Sequence, residues 1–194
     1  MRRRTFDALA TATGVLLAAI LLVAGGLLTW GHSFVSNEVH TQLAAQQIYF
    51  PANNSPAIKA PEFAAMHQYA GQQMTTGAQA EVYADHFIAN HLKAIGGGKT
   101  YAQLSTLSLA QPKNTALANQ VQTVFRGETL RGLLLNAYAF GEMGQIMLIA
   151  AIAAFAAAGL MLILSALGVA HLRRAAPEAE IFPHLTTRVK ASAS

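Results

Sequence analysis

The chain has 194 residues, of which 53% are hydrophobic and only 11% charged, and its formal net charge is +4. An ordinary soluble domain carries about 25% charged residues, and a disordered chain needs low hydrophobicity, so the composition argues against both classes. Because the chain has no cysteine, it has no disulfides, cysteine-ligated metals or thiol nucleophiles.

Two long stretches without a charged residue account for the apolar excess. They are residues 8–30, ALATATGVLLAAILLVAGGLLTW, and residues 145–170, QIMLIAAIAAFAAAGLMLILSALGVA. At about 1.5 Å per helical residue, each can cross a hydrocarbon layer of ~30 Å. The sequence therefore predicts two antiparallel transmembrane helices. The alternatives are buried helices of a soluble protein and, for the first stretch, a cleaved signal peptide.

Basic residues at the ends of the chain predict its orientation. Arg2, Arg3 and Arg4 precede the first stretch, and Arg173 and Arg174 follow the second. The segment directly after the first stretch contains no lysine or arginine, so both termini are expected on the cytoplasmic side.

These predictions divide the chain into five segments. They are a cytoplasmic tail (1–7), a first transmembrane helix (8–30), an extracytoplasmic domain (31–144), a second transmembrane helix (145–170) and a cytoplasmic tail (171–194). The domain holds six basic and six acidic residues. Because its charge is balanced, no nucleic-acid partner is expected, and the basic tails suit an anionic inner leaflet.

The domain between the spans is expected to be all-α. Val35, Val39 and Leu43 recur at helical spacing, so the first helix should extend to about Gln47. The next segment, IYFPANNSPAIKAP, has three prolines and predicts a loop. A short helix is expected over 62–72.

Three further helices are predicted from capping signals. Thr76 with Gln79 and Thr100 with Gln103 have capping-box spacing, and Asn114 can cap a third helix that runs unbroken into the second span. Three glycines, Gly96 to Gly98, end the first of these helices. Its apolar stripe consists of Ala80, Tyr83, Ala84, Phe87, Ile88 and Ile95.

Aromatic and basic side chains near the span ends are expected at the outer membrane interface. Trp30, Tyr138 and Phe140 are the aromatic candidates, with Arg126 and Arg131 as candidate headgroup contacts. The positions also suggest a polar pair between His32 and Glu142 at the outer ends of the two spans.

Small residues within the spans suggest close helix packing. Ala150, Ala154 and Ala158 recur at spacing four in the second span, and the first contains the Gly25–Gly26 pair. Such residues let helix backbones approach closely, either between the two spans or with a partner.

No motif in the sequence indicates a catalytic or metal centre. His86 and His91 lie about 140° apart around a helix, so they cannot bind one ion; His91 is expected in the core and His86 in solvent. Glu81 and Asp85 are like charges at i, i+4 spacing, which could form an acid–base pair or a cation site, but a solvated acidic face is the favoured interpretation. No cofactor is expected.

Two blocks, YADHFIANHLKAIGGGKTYAQLS and TVFRGETLRGLLLNAYAFGEMGQI, resemble an uncharacterised family of actinobacterial two-span membrane proteins. The resemblance covers nearly the whole chain and includes the MRRRTFD start. It implies two spans with a helical insert but no established activity. Some members carry the label of an aromatic ring-opening dioxygenase small chain. Extradiol ring opening requires iron held by two histidines and a carboxylate, and the spacing of these residues in this sequence offers no such triad.

The sequence therefore favours a non-catalytic cell-membrane protein that works by contact, as an accessory or scaffolding component of an envelope complex. Membrane lipid and a protein partner, or a second copy of the chain, are its expected partners. Two alternatives remain open. One is a metal-dependent or dioxygenase-like enzyme subunit, and the other is a lipid- or small-ligand-sensing domain with an apolar pocket.

Overall fold

The structure, a computed structural model, describes residues 3–174, with side chains from residue 5 onward. Arg2 and the residues after Arg174 lie outside this range. The described part is helical, with one isolated antiparallel bridge between Tyr49 and Gln73 and no strand. Its α-helices are α1 (Arg3–Ala45), α2 (Gly77–Val82), α3 (Ala89–Ile95), α4 (Tyr101–Ala110) and α5 (Thr115–Arg174). A π-helical segment, Tyr83–Ile88, joins α2 to α3, and Pro56–Ile58 and Pro61–Tyr69 form 3₁₀-helices.

The chain forms two compact units. Within the described residues, the two-helix unit comprises 3–29 and 148–174, and the central unit comprises Trp30–Met147. Helices α1 and α5 each contribute to both units. The predicted all-α class is thus confirmed for the described residues.

In the two-helix unit, α1 and α5 run antiparallel. On α1 the least exposed positions alternate at spacings of three and four, at Thr11, Gly14, Ala18, Leu21 and Gly25. On α5 the buried positions are spaced by seven, at Ala151, Ala158 and Ser165. These spacings are typical of coiled-coil packing, in which a narrow seam of each helix faces the other.

The other faces of both helices are apolar and exposed. Both helices are long and apolar enough to cross a membrane, as the sequence predicts, and only 11% of the most apolar window of each is buried. A core helix of a soluble protein is instead mostly buried. The exposed side chains include Leu16, Ile20, Val23, Ile149, Ile163 and Leu167.

The central unit has a main core and a small second cluster. Ile58, Met66 and Met74 are fully buried in the main core, beside the end of α1 and the α2–α3 segment. The second cluster consists of Leu104, Val121 and Val124, with Leu117 packed against it. Leu117, Val121 and Val124 thus form the packing face at the start of α5.

The predicted helix starts are also confirmed. Thr76 and Thr100 each form a complete capping box with the glutamine three residues later. The Asn114 side-chain oxygen accepts the Leu117 backbone N–H at 3.0 Å. Each cap satisfies backbone donors that the first helical turn leaves free.

The predicted helix over 62–72 differs from the observed one. The observed segment is the 3₁₀-helix Pro61–Tyr69, with the tighter i→i+3 geometry used in short connecting segments.

The π-helical segment changes which residues are buried. From Ala84 onward the buried positions recur every four residues, at Ile88 and Leu92, whereas 3.6 residues per turn would place His91 and Ile95 on that face. Because i→i+5 bonds widen the helix, residues after the segment are rotated. His91 is exposed and Ile95 is 41% exposed, so both core predictions were wrong. The prediction that His86 is exposed is confirmed.

Candidate contact surfaces

The seam of the two-helix unit depends on side chains that leave room for the opposite helix. A methyl group built on Gly14 would overlap the hydroxyl oxygen of Ser165, and one built on Gly25 would lie 2.8 Å from the Phe155 ring. Ser165 is 6% exposed, and its hydroxyl has no hydrogen-bond partner among the described residues. Helices α1 and α5 therefore approach closely at a point where the Ser165 hydroxyl is buried and has no partner among the described residues.

The small residues named from the sequence take different positions relative to this seam. Ala158 is fully buried, whereas Ala150 and Ala154 are half-buried and the seam continues instead through Ala151. A methyl group on Gly26 would meet nothing within 4 Å. Spacing four drifts about 40° per step around a helix of 3.6 residues per turn, while spacing seven drifts only about 20°. A seven-residue repeat therefore stays on one face.

Polar side chains close one end of the two-helix unit. Asp7 Oδ2 lies 3.8 Å from His171 Nε2, and the Thr11 hydroxyl donates to the Asp7 backbone carbonyl at 2.8 Å. Together with Ser165 they line an open cavity of about 560 Å³. Sequence reasoning considered the charge-free stretches themselves. Because Asp7 and His171 lie just outside those stretches, it missed this cluster.

The topology-setting arginines are only partly covered by the structure. Arg173 and Arg174 are exposed at the end of α5. Arg3 and Arg4 belong to α1, but their side chains lie outside the described part, as does the whole of Arg2. Their proposed contact with an anionic leaflet stays a prediction.

In the central unit, α2 packs closely on α5. A methyl group on Gly77 would lie 3.0 Å from the Ala137 carbonyl oxygen, 3.1 Å from the Tyr138 Cα and 3.3 Å from the Gly141 Cα. All three neighbours are backbone atoms. The predicted interface residue Tyr138 therefore contributes to this contact and is half-buried.

An ion pair joins the π-helical segment to α5. The Arg131 guanidinium donates to Asp85 Oδ1 at 2.7 Å and lies 3.6 Å from the Glu128 carboxylate. Glu128 precedes Arg131 by three residues and shares a helix face with it. The closer partner, Asp85, is 46 residues away in the chain, and no local signal identifies it.

Arg126 and Arg131 lie far along α5 from the predicted second span. They precede residue 145 by 19 and 14 residues, which corresponds to about 28 and 21 Å of helix. The headgroup layer adds only about 5–8 Å on each side of the hydrocarbon. Arg131 pairs with Asp85, and Arg126 is exposed. The headgroup contact of both arginines stays a prediction.

His32 bonds to a backbone group. Its Nδ1 lies 2.8 Å from the Gly144 carbonyl oxygen. Because a carbonyl oxygen can only accept, the Nδ1–H is the donor of this hydrogen bond. Glu142 is exposed and makes no ion pair or hydrogen bond with His32 in the described part of the chain. The suggested polar pair is thus replaced by a bond that links α1 to the α5 backbone.

An apolar groove lies between α1 and α5 in the central unit. Its cavity is about 330 Å³, and its apolar walls are Phe34, Val35, Val39, Ala137 and Phe140. Its polar lining consists of Glu38 and Gln42, which hydrogen-bond to each other at 2.8 Å.

Two predicted interface aromatics lie at this groove. Trp30 is 68% exposed and stacks on Phe34, with ring centroids 5.8 Å apart. Phe140 is also exposed and forms part of the wall. Exposed aromatic rings beside an apolar cavity are typical of surfaces that bind an apolar partner.

A second cavity, of about 620 Å³, lies beside α3. Phe63, Asn90, His91 and Lys93 line it, and the His91 Nδ1–H donates to the Phe87 carbonyl at 2.7 Å. In residues 3–174, no group of three or more His, Asp or Glu side chains is arranged to hold a metal ion. Polar and apolar side chains both line this cavity, and the His91 ring packs against Phe63 and Phe87.

An aromatic cluster supports the core next to this cavity. The Tyr83 ring meets Phe50 edge-on at 5.4 Å and Phe87 at 4.8 Å. Burial raises the pKa of the Tyr83 phenol above its ordinary value of 10.0, because the charged phenolate loses hydration there. The ring thus stabilises the core in its neutral form.

Comparison with known proteins adds no relative. No family model matches the chain, and no curated protein or solved structure shows significant similarity to it.

Proposed function

We propose that this protein spans the cell membrane twice, with both termini cytoplasmic and the central unit on the extracytoplasmic side. There it works by contact, as an accessory or scaffolding component of a cell-envelope complex. The observation that carries the proposal is the outward-facing apolar surface of the two-helix unit. The absence of charge along residues 8–30 and 145–170 supports it.

A bilayer is the solvent that suits this surface. Monomeric soluble proteins rarely expose contiguous apolar patches larger than a few hundred Å². In the two-helix unit, large apolar side chains are exposed on both helices along most of their length. Helices also satisfy all their backbone hydrogen bonds internally, as hydrocarbon requires.

Contact, rather than transport or catalysis, is favoured by the placement of polar groups. The ionisable residues of the two-helix unit flank the charge-free stretches, as Asp7 and His171 do, so no proton or ion relay crosses them. The central unit instead presents exposed apolar side chains, among them Trp30, Phe34, Leu133 and Phe140. Such residues are the usual anchors of protein and lipid contacts.

The membrane placement is tested by fractionation and topology reporters. We expect the full chain to stay in the pellet after alkaline carbonate extraction. A cytoplasmic reporter fused after Ser194 should be active, and a periplasmic-type reporter inserted in the loop at Asn53 should be active as well. Release of the chain into the supernatant would contradict the proposal.

The contact role is tested by site-specific photo-crosslinking in native membranes. A photoreactive residue at Leu133, which is exposed and apolar, should give one reproducible adduct of defined mass. The same residue at Gln122, an exposed polar position on the same helix, is the matched control. Equal and diffuse labelling at both positions would argue against a defined partner surface.

The apolar groove favours lipid or small-ligand binding as a second candidate function.

An enzyme subunit is the third candidate function, and metal analysis of the detergent-purified protein tests it. Stoichiometric iron or zinc that is lost on His91→Ala would support a metal-dependent enzyme and contradict the contact role.

A further inference from the structure

The apolar groove of the central unit has walls that suit a hydrocarbon ligand. Its walls are formed by aliphatic and aromatic side chains of α1 and α5, and at its polar edge the Gln42 side-chain N–H donates to the Glu38 carboxylate at 2.8 Å. A peptide or sugar placed there would leave its own donors and acceptors unpaired, at a cost in free energy. An alkyl chain has no such groups to satisfy.

The Glu38 carboxylate predicts which way such a ligand is oriented in the groove. Trp30, Phe34, Glu38 and Gln42 follow one another at spacing four along α1. Glu38 lies eight residues beyond Trp30, about 12 Å along the helix. An anionic headgroup is repelled by the Glu38 carboxylate, so it stays at the Trp30 end, where the sequence predicts the membrane boundary.

The size of the groove also fits. Its cavity of about 330 Å³ is at the small end of the range for ligand sites, which is about 300–1,000 Å³. A single alkyl chain lying along α1 fits this volume better than a helix with its rows of side chains.

We propose that this groove takes one acyl chain of a membrane lipid, with the headgroup next to Trp30. The proposal rests on the membrane placement proposed above and adds a ligand class and a site. A bound lipid chain would extend out of the bilayer and cover the exposed faces of Phe34 and Phe140. The central unit would then bind a lipid chain in addition to its proposed role as a contact surface for a partner.

Photolabelling from the far end of an acyl chain tests the proposal. The full-length protein is placed in liposomes of phosphatidylethanolamine and phosphatidylglycerol containing a trace of phosphatidylglycerol that carries a diazirine at the end of one acyl chain. Chains in the bilayer carry this group near the midplane and label only residues 8–30 and 145–170. A chain in the groove labels residues 34–42 and 137–140 as well, and that is the result expected.

Two substitutions block the groove, each with a matched control. Ala137→Phe fills the cavity, and Ala139→Phe places the same ring on an exposed position of α5. We expect about a tenfold loss of groove labelling in the first and none in the second, since the ring takes the space of several chain carbons. Phe34→Glu puts a charge on an exposed wall position, with Asn37→Glu as its control, and serves if Ala137→Phe does not fold.

The outcomes separate the two proposals. Labelling confined to 8–30 and 145–170 would overturn the lipid site and leave the membrane placement supported. Absence of label from those two ranges would overturn the membrane placement itself. A photoreactive residue at Phe34 that captures a polypeptide, with no lipid label in 34–42, would show that a protein occupies the groove and would overturn the lipid site.

Discussion

The Arg131 guanidinium donates to the Asp85 carboxylate at 2.7 Å and so ties the π-helical segment to α5. The two side chains are 33% and 39% exposed, so solvent screens part of the attraction. The pair lies where the helix register changes, and it links the wider turn to the long helix α5. π-Helical turns occur frequently at functional sites.

Removing the Asp85 carboxylate should destabilise the central unit. We expect Asp85→Ala to cost about 1–2 kcal/mol, because Arg131 loses a charge-assisted bond at a half-exposed site. Hydrogen exchange of residues 81–92 in the detergent-solubilised protein measures the effect. Glu128→Ala removes only the 3.6 Å partner and should cost less than about 0.5 kcal/mol. Equal effects of the two changes would contradict this assignment.

The contact between Gly14 and Ser165 predicts a coupled pair of substitutions. Gly14→Ala should weaken the two-helix unit by about 1–3 kcal/mol, because the added methyl group meets the Ser165 hydroxyl. In a Ser165→Ala background the nearest side-chain atom is the Cβ at 3.8 Å, so the penalty should largely disappear. Unfolding in SDS gives the free energies of unfolding of the parent protein, the two single variants and the double variant. Gly26→Ala, which meets nothing, is the control, and additive effects at Gly14 and Ser165 would refute the coupling.

A glycine substitution on the α2–α5 contact and one on an open face of α5 should change stability in opposite directions. Gly77→Ala pushes a methyl group against three backbone atoms that cannot move independently, and we expect a loss of about 1–3 kcal/mol. Gly132→Ala meets open space inside α5 and should gain about 0.5–1 kcal/mol from helix propensity. Thermal unfolding of the central unit followed by circular dichroism distinguishes them. A gain at Gly77 would mean that the two helices are not in close contact.

Alkaline pH should destabilise the central unit through Tyr83. Because burial raises its pKa in the folded state, the neutral phenol stabilises the fold fully below pH 10.0, and this contribution is lost as the pH rises through the raised value. Tyr83→Phe should remove that part of the pH dependence, while the same change at the exposed Tyr49 should leave it. Stability measured from neutral to strongly alkaline pH tests the difference. An unchanged profile in Tyr83→Phe would show that the phenol is not buried.

Local chemistry explains which elements were predictable. Thr76, Thr100 and Asn114 start helices because their side chains bond to backbone donors three residues away. Such signals are complete within one helical turn. The predictions of helix starts and of the unbroken α5 therefore needed no knowledge of tertiary contacts.

The candidate surfaces were less predictable because they join distant parts of the chain. The groove pairs Phe34 with Phe140, and the seam pairs Gly14 with Ser165. From the sequence, Val35 and Val39 indicated only that the first helix extends beyond the span, and an apolar pocket was one alternative. The family resemblance stays a prediction, because no family model matches.

The sequence by itself determined the all-helical class, the two long apolar helices and the ends of the capped helices. These follow from composition, from periodicity and from side chains that bond within their own turn. Only the tertiary structure decided that Leu92 and not His91 is buried, that Arg131 pairs with Asp85, and that the α5 seam repeats every seven residues. Each of these depends on how a helix is rotated against its neighbour, and a one-residue change in register moves a side chain by about 100° around the axis.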